Sequence, residues 1–456
     1  MKFKEELKKT FEYRPESKIN ANQFHKIEAS FNNMLFKKFE LGVMLSFFFD
    51  QTYNGSFNFN FFYHLKILFS ILLKSLFNKE KIKDLKKKII YFNRGKYRHY
   101  SMMTNSFNYD KEIRKDTLII GPLKYDDKKS IFFYSNLVDF LRVVYYVLAN
   151  CRVILNQISV LELSIRKRII FFIFLIYQII KTISIDRFVK KQSRLMLIGS
   201  DADRGFHSSL FFAVGRSYNI KTFTFQHGVM NGYFGIFPLN ADEIWVWGNM
   251  AYKQYQQMGL DVSRIKITGT PIIEKITIDK NIKIAVKKKY SLNSGKTICL
   301  ALSNPSKEDD LKLVSFFCEI KKRYGAAEDN FLVKIHPARD PSLYSWIKDE
   351  FNIEVLHQKI KYDDFIIFTD VLLTHSSGIA TESIYYNKKI GILDILDRSA
   401  GNGKMLNLFY GIPLLKKESE FIKLMKNNIN INPEEIYYKI GDLASLEICK
   451  NLRRKI

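Results

Sequence analysis

LLTHSSGIATE, from Leu372 to Glu382, decides the fold, because an apolar strand here breaks into a polar turn and then continues as a helix. Backbone N–H groups in such a turn point outward at the positive end of a helix, where a phosphate binds well. The hydroxyls of Ser376 and Ser377 can donate to anionic oxygens, and Gly378 allows close backbone approach or a positive φ. Glu382, one helical turn further on, can accept a hydrogen bond from a sugar hydroxyl. A second interpretation stays open, in which the turn is an ordinary Ser-capped joint between strand and helix.

Short apolar runs, separated by segments of helical length, surround this stretch. Their hydrophobicity is continuous rather than alternating, which predicts strands buried on both faces of a parallel sheet. They fall into two arrays, so we expect an α/β fold with two Rossmann-like, doubly wound domains facing a central cleft. The first array is TLII (117–120), RLMLIGS (194–200), KTFTF (221–225), DEIWVW (242–247) and RIKI (264–267). The second is KTICLAL (296–302), FLVKI (331–335), IEVL (353–356), DVLLT (370–374) and KIGIL (389–393).

The same patterns divide the chain into three parts. Residues 1–110 are predicted to form a mostly helical or irregular N-terminal extension. Residues 111–270 form the first Rossmann-like domain, and residues 271–456 form the second, with helices at its C-terminal end.

The charge of the chain limits the class of partner. Lys and Arg number 72 against 46 Asp and Glu, which gives a formal net charge of +26 and indicates an anionic partner. Zinc-finger spacing, a helix-turn-helix signature and an RNP-type aromatic strand are all missing, so nucleic acid is not the expected partner. An anionic membrane surface or a phosphate-bearing substrate fits better.

The N-terminal and cysteine patterns indicate a cytoplasmic protein. MKFKEELKKTFEY, residues 1–13, lacks the apolar core of a signal peptide, so we do not expect export. The cysteines form no CxxC pair, which favours a reducing compartment and argues against a zinc site. They are Cys151, Cys299, Cys318 and Cys449.

Two stretches bear on membrane association. Residues 169–180, IIFFIFLIYQII, fall short of the roughly 20 apolar residues that span a bilayer, so we expect a buried helix or one that dips into the interface. Residues 61–88 place apolar side chains at helical spacing and end in a lysine cluster. That pattern suits an anionic membrane surface, or equally a core helix followed by a solvated charged one.

Polar side chains follow the predicted strands where ligands bind in open α/β sheets, beyond the carboxyl ends. Lys334 and His336 are two residues apart, so both are expected to point to the same side of their strand. That side would lie next to the HSSG turn, residues 375–378. A lone strand-end histidine is often structural, and Asp201 or Asp203 could simply cap a helix. The polar residues at the strand ends are Asp201, Asp203, Arg204, His207, Gln226 and His227 in the first array, and Ser303, Asn304, Lys334, His336 and His375 in the second.

These residues carry a resemblance to known families. Residues 197–274, with an acidic loop, QHG at 226–228, DEIWVWG and RIKITGTPIIE, resemble the N-terminal half of GT-B fold enzymes. Close in pattern are bacterial capsule and lipopolysaccharide glycosyltransferases and UDP-N-acetylglucosamine 2-epimerases. KIHP at 334–337, followed by THSSGIATE at 374–382, is similar to the paired motifs of bacterial sialyltransferases and CDP-glycerol glycerophosphotransferases. The resemblance covers residues 117–424.

In the second domain, the resemblance implies a site for a nucleotide-sugar donor. His336 and the Ser376-Ser377-Gly378 turn would hold the donor phosphate. Glu382 would accept from the donor ribose. The residues that complete this donor site are Ser303, Asn304, Lys334 and His375.

In the first domain, the resemblance implies an acceptor site. His227 would approach the acceptor or the transferred group, and His227, Asp201 or Asp203 would act as the base. The acceptor-binding residues would be Arg204, His207 and Gln226.

We therefore expect a metal-independent glycosyltransferase at the inner face of the cell membrane, which transfers a sugar to a glycan or lipid-linked acceptor and needs no cofactor. Three alternatives stay open: a CDP-glycerol-type glycerophosphotransferase, a nucleotide-sugar 2-epimerase, and a non-catalytic membrane-binding protein.

Overall fold

The computed structural model describes residues 60–77, 84–93, 104–120, 137–149, 151, 164–201, 206–226, 228, 239–257, 259–302, 307–335, 340–356, 360–375, 377–396, 402–426 and 432–456. Two six-stranded parallel sheets lie at its centre, which confirms the predicted α/β class with two doubly wound domains. The strands are β1 (Ile89–Phe92), β2 (Thr117–Ile120), β3 (Leu197–Ser200), β4 (Lys221–Phe225), β5 (Glu243–Val246), β6 (Ile265–Ile267), β7 (Thr297–Ala301), β8 (Asn330–Lys334), β9 (Glu354–Leu356), β10 (Val371–Thr374), β11 (Lys389–Leu393) and β12 (Leu414–Leu415).

The α-helices of the described residues lie mostly between these strands. They are α1 (Phe61–Phe77), α2 (Lys111–Asp116), α3 (Leu137–Ala149), α4 (Ile165–Lys191), α5 (Phe206–Ser217), α6 (Asn249–Gln257), α7 (Lys280–Lys289), α8 (Lys307–Tyr324), α9 (Ser345–Phe351), α10 (Tyr362–Phe368), α11 (Ile379–Tyr385), α12 (Asn402–Tyr410), α13 (Glu420–Lys426), α14 (Pro433–Ile436) and α15 (Gly441–Arg453). Three short 3₁₀ helices are also described, and they are Ser106–Tyr109, Val262–Arg264 and Pro341–Tyr344.

The first sheet has the strand order β2-β1-β3-β4-β5-β6, and its neighbouring strands run parallel. The chain adds β2 on one side of β1 and β3 to β6 on the other. The topological switch point therefore lies between β1 and β3, where Phe92 pairs with Ser200.

The first domain begins earlier than residue 111, where the sequence patterns placed its boundary. β1 lies between β2 and β3, and all four of its residues are buried. The predicted extension, residues 1–110, therefore contributes a central strand. The strand was missed because IIYF is a run of four residues that directly follows three lysines without a turn signal. Residues 1–59 of that extension lie outside the described residues.

The second sheet has the order β12-β11-β10-β7-β8-β9 and is also parallel. This order is that of a dinucleotide-binding Rossmann domain, in which the first strand lies beside the fourth. The switch point lies between β7 and β10, and β10 leads directly into the HSSG turn.

Aromatic side chains fill one face of the first sheet. The Phe223 ring stacks on Trp245 at a centroid distance of 4.5 Å, and Tyr91 stacks on Phe223 at 6.4 Å. Gly199 pairs with Phe223 across the strands, and a Cβ atom at Gly199 would lie 2.2 Å from the Phe223 ring. The glycine is therefore required by the packing of the ring above it.

Helix α4 is longer than the apolar run at 169–180 that predicted it. Within the described residues, Arg168–Lys191 is the one segment long and apolar enough to cross a membrane by length and composition. Most of this segment is nevertheless buried in the protein, and Ile170 and Phe174 pack in a hydrophobic core with residues of α3 and α5. This packing agrees with the buried-helix alternative of the sequence analysis.

The last helix, α15, returns to the first domain, although the sequence patterns assigned residues 271–456 to the second. Its residues Ile448 and Leu452 are buried in one cluster with Tyr91 of β1. An ion pair joins Arg453 to Asp110, and its hydrogen bond lowers the pKa of the Asp110 carboxyl. No sequence pattern reveals this packing, because the partners lie more than three hundred residues apart.

The chain passes between the two domains twice, and the two connecting segments lie side by side. The first follows β6, and the second precedes α15. Thr270 donates its N–H to the Lys439 carbonyl at 2.9 Å, and Gly441 donates to the Thr270 carbonyl at 3.2 Å. Thr270, the last residue of the predicted first domain, is thus hydrogen-bonded to the linker that precedes α15.

We expect Leu452→Ala to lower the free energy of unfolding by about 2–5 kcal/mol, because it opens a cavity in the core shared by α15 and the first sheet. Leu443→Ala, in the same helix, is the control, since Leu443 is 63% exposed whereas Leu452 is 0% exposed. The control should change stability by no more than about 0.5 kcal/mol. Urea denaturation measures both variants, and equal effects would contradict the packing of α15.

Candidate functional site

The carboxyl ends of three strands of the second sheet lie level with one another. Thr374 of β10 pairs with Ala301 of β7, and Ala301 pairs with Lys334 of β8. Neighbouring strands are about 4.8 Å apart, so Thr374 and Lys334 lie roughly 10 Å apart across the switch point. This row borders the crevice in which open α/β sheets bind ligands.

The hydroxyl group of Thr374 fixes the HSSG turn to the sheet. It donates to the Ala301 carbonyl at 2.9 Å and accepts the Ser377 N–H at 3.1 Å, and Thr374 is completely buried. The position of the turn is therefore set by the neighbouring strand as well as by its own strand. The sequence analysis did not name Thr374 as a site residue. The available signal was a hydroxyl side chain at the last position of the strand, directly before the turn.

The turn leads into α11 through residues with helical backbone. Gly378 has φ −61° and ψ −20°, so the positive φ considered for it in the sequence analysis is not what this position uses. The first bonds of the helix run from the Ala380 N–H to the Ser377 carbonyl and from the Thr381 N–H to the Gly378 carbonyl. Gly378 is exposed, so the backbone at the start of the helix is accessible to a ligand.

Lys334 brings a largely buried positive charge to this edge. Desolvation lowers the pKa of its ammonium group, and the carboxylate of Glu382 opposes that shift by its charge. The Lys334 Nζ also lies 5.6 Å from the centroid of the Phe365 ring. A largely desolvated cation on the same edge of the sheet as the turn is suited to an anionic group, because electrostatic attraction is strengthened where water is excluded.

Glu382 lies among phenolic side chains. Burial, and then the charge of Glu382, raises the pKa of Tyr362 and of Tyr437 well above the ordinary value. Glu382 is half-buried at the start of α11, in the first turn after Gly378. The carboxylate therefore lies close to the switch point, and its role as acceptor for a ribose hydroxyl stays a prediction.

His375 points towards β11. It is buried, and its Nδ1 lies 3.0 Å from the Leu393 carbonyl oxygen. A carbonyl only accepts, so Nδ1 carries the proton in this contact. The imidazole thus ties the end of β10 to the end of β11, and this structural role was not anticipated from the sequence.

Gln226 directly follows β4, and its side chain bonds to two other residues. Its amide oxygen accepts the Trp247 N–H at 3.1 Å, and its amide nitrogen donates to the Gly228 carbonyl at 3.1 Å. Its backbone carbonyl also accepts from the Trp247 indole at 2.8 Å. Both polar ends of the side chain therefore have protein partners, and an acceptor-binding role for Gln226 stays a prediction.

Asp201 lies at the switch point of the first sheet. It directly follows β3, it is buried, and its N–H donates to the Phe92 carbonyl at the end of β1. The two switch points thus carry Asp201 in the first domain and the HSSG turn in the second. His207 belongs to the first turn of α5.

Several predicted site residues lie outside the described residues. The side chain of His207 is among the parts of the chain that are not described. The described site therefore unites Lys334, Ser377, Gly378 and Glu382. The predicted site residues outside the described residues are Asp203, Arg204, His227, Ser303, Asn304, His336 and Ser376.

Tyr437 joins the two domains beside this site. Its hydroxyl lies 2.9 Å from the Thr381 hydroxyl in α11, and its ring centroid is 5.6 Å from that of Trp247 in the first domain. The next residue, Tyr438, donates its N–H to the Trp247 carbonyl at 2.9 Å. Sequence reasoning missed this contact, because the linker that carries Tyr437 has no motif.

A basic cavity of about 910 Å³ lies at the opposite, amino-terminal edge of the second sheet. Asp370, just before β10, forms ion pairs there with Lys283 and Lys287. The cavity is thus separated from the HSSG turn by the length of β10. Its lysines are Lys280, Lys283, Lys287, Lys288 and Lys296.

Across the described ranges, no group of three or more His, Cys, Asp or Glu side chains is arranged to hold a metal ion. Metal-independent catalysis stays a prediction.

Comparisons with known proteins give structural likeness only. No family model matches the chain, and no curated protein matches it. UDP-GlcNAc 2-epimerase from Methanocaldococcus jannaschii, solved with UDP-GlcNAc and UDP, has a TM-score of 0.47 and 14% identity over 80% of this chain and 99% of its own. The epimerase from Neisseria meningitidis, bound to UDP-GlcNAc, has a TM-score of 0.47 and 12% identity over 80% of this chain and 100% of its own. The wall teichoic acid polymerase TagF, soaked with CDPG, has a TM-score of 0.45 and 14% identity over 86% of this chain and 96% of its own. Likeness at this level identifies no reaction.

We expect Glu382→Gln to lower the pKa of Lys334 further, because the carboxylate now favours the charged ammonium and is the main opposition to desolvation. NMR titration of ¹³C-labelled lysine side chains measures this pKa. Glu354→Gln, an exposed carboxylate on β9, is the control and should leave the Lys334 pKa unchanged. An unchanged Lys334 pKa in Glu382→Gln would show that the Glu382 carboxylate and the Lys334 ammonium group do not interact.

Proposed function

We propose that this protein is a glycosyltransferase that moves a sugar from a nucleotide-sugar donor to a bacterial surface glycan or lipid-linked acceptor. The observation that carries the proposal is the row of strand ends at the switch point of the second sheet. There Lys334, the Ser377–Gly378 turn and Glu382 meet, with a cation, hydroxyl and N–H donors, and a carboxylate on one edge. Such a set can bind a phosphate and a sugar hydroxyl together.

In the proposed reaction, the bond from the anomeric carbon to the donor phosphate breaks while the acceptor oxygen bonds to that carbon. Negative charge develops on the departing nucleotide, and Lys334 with the Ser377 hydroxyl would stabilise it. Glu382 would accept a hydrogen bond from the ribose. The proton leaves the acceptor hydroxyl for a base in the first domain, for which Asp201, Asp203 and His227 are the candidates.

The described fold supports this division of roles. Asp201 lies at the switch point of the first sheet, so each domain offers polar groups at its own ligand-binding edge. The paired linkers after β6 and before α15 would let the domains close over bound substrates, which excludes water and limits hydrolysis.

We expect Thr374→Val to weaken nucleotide binding about tenfold, because the valine removes both hydrogen bonds that fix the HSSG turn. Thr369→Val is the matched control. Thr369 is equally buried at the other end of β10, where its hydroxyl donates to the Phe365 carbonyl at 2.7 Å. Each variant should lose about 1–3 kcal/mol of stability. Calorimetric titration with the nucleotide that binds wild-type protein measures the affinity of each variant. If Thr374→Val and Thr369→Val bind this nucleotide equally well, Thr374 has no role in nucleotide binding.

A screen of donors identifies the transferred group. Thermal shifts with UDP, CMP, CDP and GDP show which nucleotide binds, and Ser377→Ala and His336→Ala should reduce that shift. A glycosyltransferase should release the nucleotide from a nucleotide sugar only when a glycan acceptor is present. Turnover of CDP-glycerol instead would favour a glycerophosphotransferase, and interconversion of a free nucleotide sugar without acceptor would favour an epimerase. If no nucleotide binds and neither variant changes any affinity, the transferase proposal fails.

A further inference from the structure

Helix α1 is apolar on two sides. Its inner residues, such as Leu68 and Leu72, pack on the core beneath the first sheet. Phe62, Leu65 and Phe69 recur at spacings of three and four residues and are all exposed, Phe62 by 77%. Residues at this spacing share one face of a helix, so α1 presents a stripe of large apolar side chains to its surroundings.

Helix α3 repeats this arrangement. Phe140, Val143 and Val147 are buried against the core, whereas Leu141 and Tyr145 are exposed, Tyr145 by 76%. Val138 and Leu148 lie on the same outer side and are also exposed. A helix that needs only to cover a core has a polar outer face, so a second apolar stripe requires another explanation.

These stripes belong to one surface. α5 packs on β3 and β4, α4 packs against α5, and α1 and α3 pack against α4 and against each other. We call the exposed sides of α1 and α3, with the N-terminal turn of α4, the outer apolar face. Single exposed apolar residues are common on proteins, but a concentration of large apolar side chains on the outer sides of adjacent helices marks an interaction surface.

Positive charge adjoins the outer apolar face. Ile165 and Ile169, in the first turns of α4, are exposed and lie next to Arg166, which is exposed, and Arg168. Lys66 is exposed on α1, between Leu65 and Phe69. Aromatic and aliphatic side chains with Arg and Lys beside them are the pattern of helices that lie in the interface of an anionic bilayer.

We propose that the outer apolar face docks on an anionic lipid bilayer, with α1 and α3 lying in the interface and α4 remaining in the protein core. The net charge of +26 complements such a surface. α4 itself is long enough to cross a bilayer, but its burial among α1, α3 and α5 in the core beneath the first sheet assigns it to the protein interior. The outer apolar face lies outside the site at the second switch point, so docking is separate from the proposed reaction.

Vesicle binding of the full chain tests this proposal. Wild-type protein should sediment with vesicles of phosphatidylcholine and phosphatidylglycerol and much less with vesicles of phosphatidylcholine alone. Val138→Glu combined with Leu141→Glu should weaken binding at least about tenfold, since two apolar contacts are replaced by charges that anionic lipid repels. Leu443→Glu combined with Leu446→Glu is the matched control, because these leucines are similarly exposed and similarly spaced on α15. The control should bind as wild type does.

A fluorescent reporter gives an independent readout. The native tryptophans, Trp245, Trp247 and Trp346, are all buried. The emission of a new surface tryptophan is therefore obtained by subtracting the wild-type spectrum from that of the variant. Tyr145→Trp should shift its emission to the blue on anionic vesicles and be quenched by brominated lipid. Tyr438→Trp, at an exposed position outside the outer apolar face, should do neither.

Three results would overturn the proposal. One is vesicle binding that the Val138/Leu141 variant leaves unchanged, and another is a Tyr145→Trp emission that vesicles do not shift. The third is a change of sedimentation coefficient in the Val138/Leu141 variant with unchanged vesicle affinity, which would assign the face to a contact between two copies of the chain. Circular dichroism and thermal unfolding should match wild type in every variant, because all substituted side chains are exposed.

Discussion

A parallel sheet covered on both faces keeps most polar side chains out of the middle of its strands, and the organisation of this protein follows from that constraint. Most strand residues of both sheets are buried, and the side chains in the middle of the strands are mostly apolar. Groups able to bind or react are restricted to the strand ends. The chain therefore concentrates its chemistry at the two switch points, marked by Asp201 and by the HSSG turn.

Much of the fold was predictable for the same reason. A strand buried on both faces leaves a short, continuous apolar run in the sequence, and ten of the strands were found from such runs. β1 and β12 were not found, because IIYF follows a lysine cluster without a turn and β12 has only two residues. Their place in the sheets is set by pairing with other strands, β2 and β3 for β1 and β11 for β12, which a local pattern does not record.

The site was predictable at the level of segments and less so at the level of contacts. LLTHSSGIATE was recognised as a strand, turn and helix, and Lys334 and Glu382 were placed near it. The partners of His375 and Gln226 were not foreseen, because each bonds to a strand or turn elsewhere in the chain. Thr374 and Tyr437 were missed because their roles come from hydrogen bonds to residues of other segments, Ala301 and Thr381, that a local pattern does not record.

The return of α15 to the first sheet has a consequence for biosynthesis. The core around Tyr91 remains open on one side until residues 441–453 have left the ribosome, because Ile448 and Leu452 close it. The second domain, in contrast, has all of its strands once Leu415 has been made. The domain translated first is thus the one completed last, and during synthesis its exposed aromatic core is a surface for a chaperone to shield.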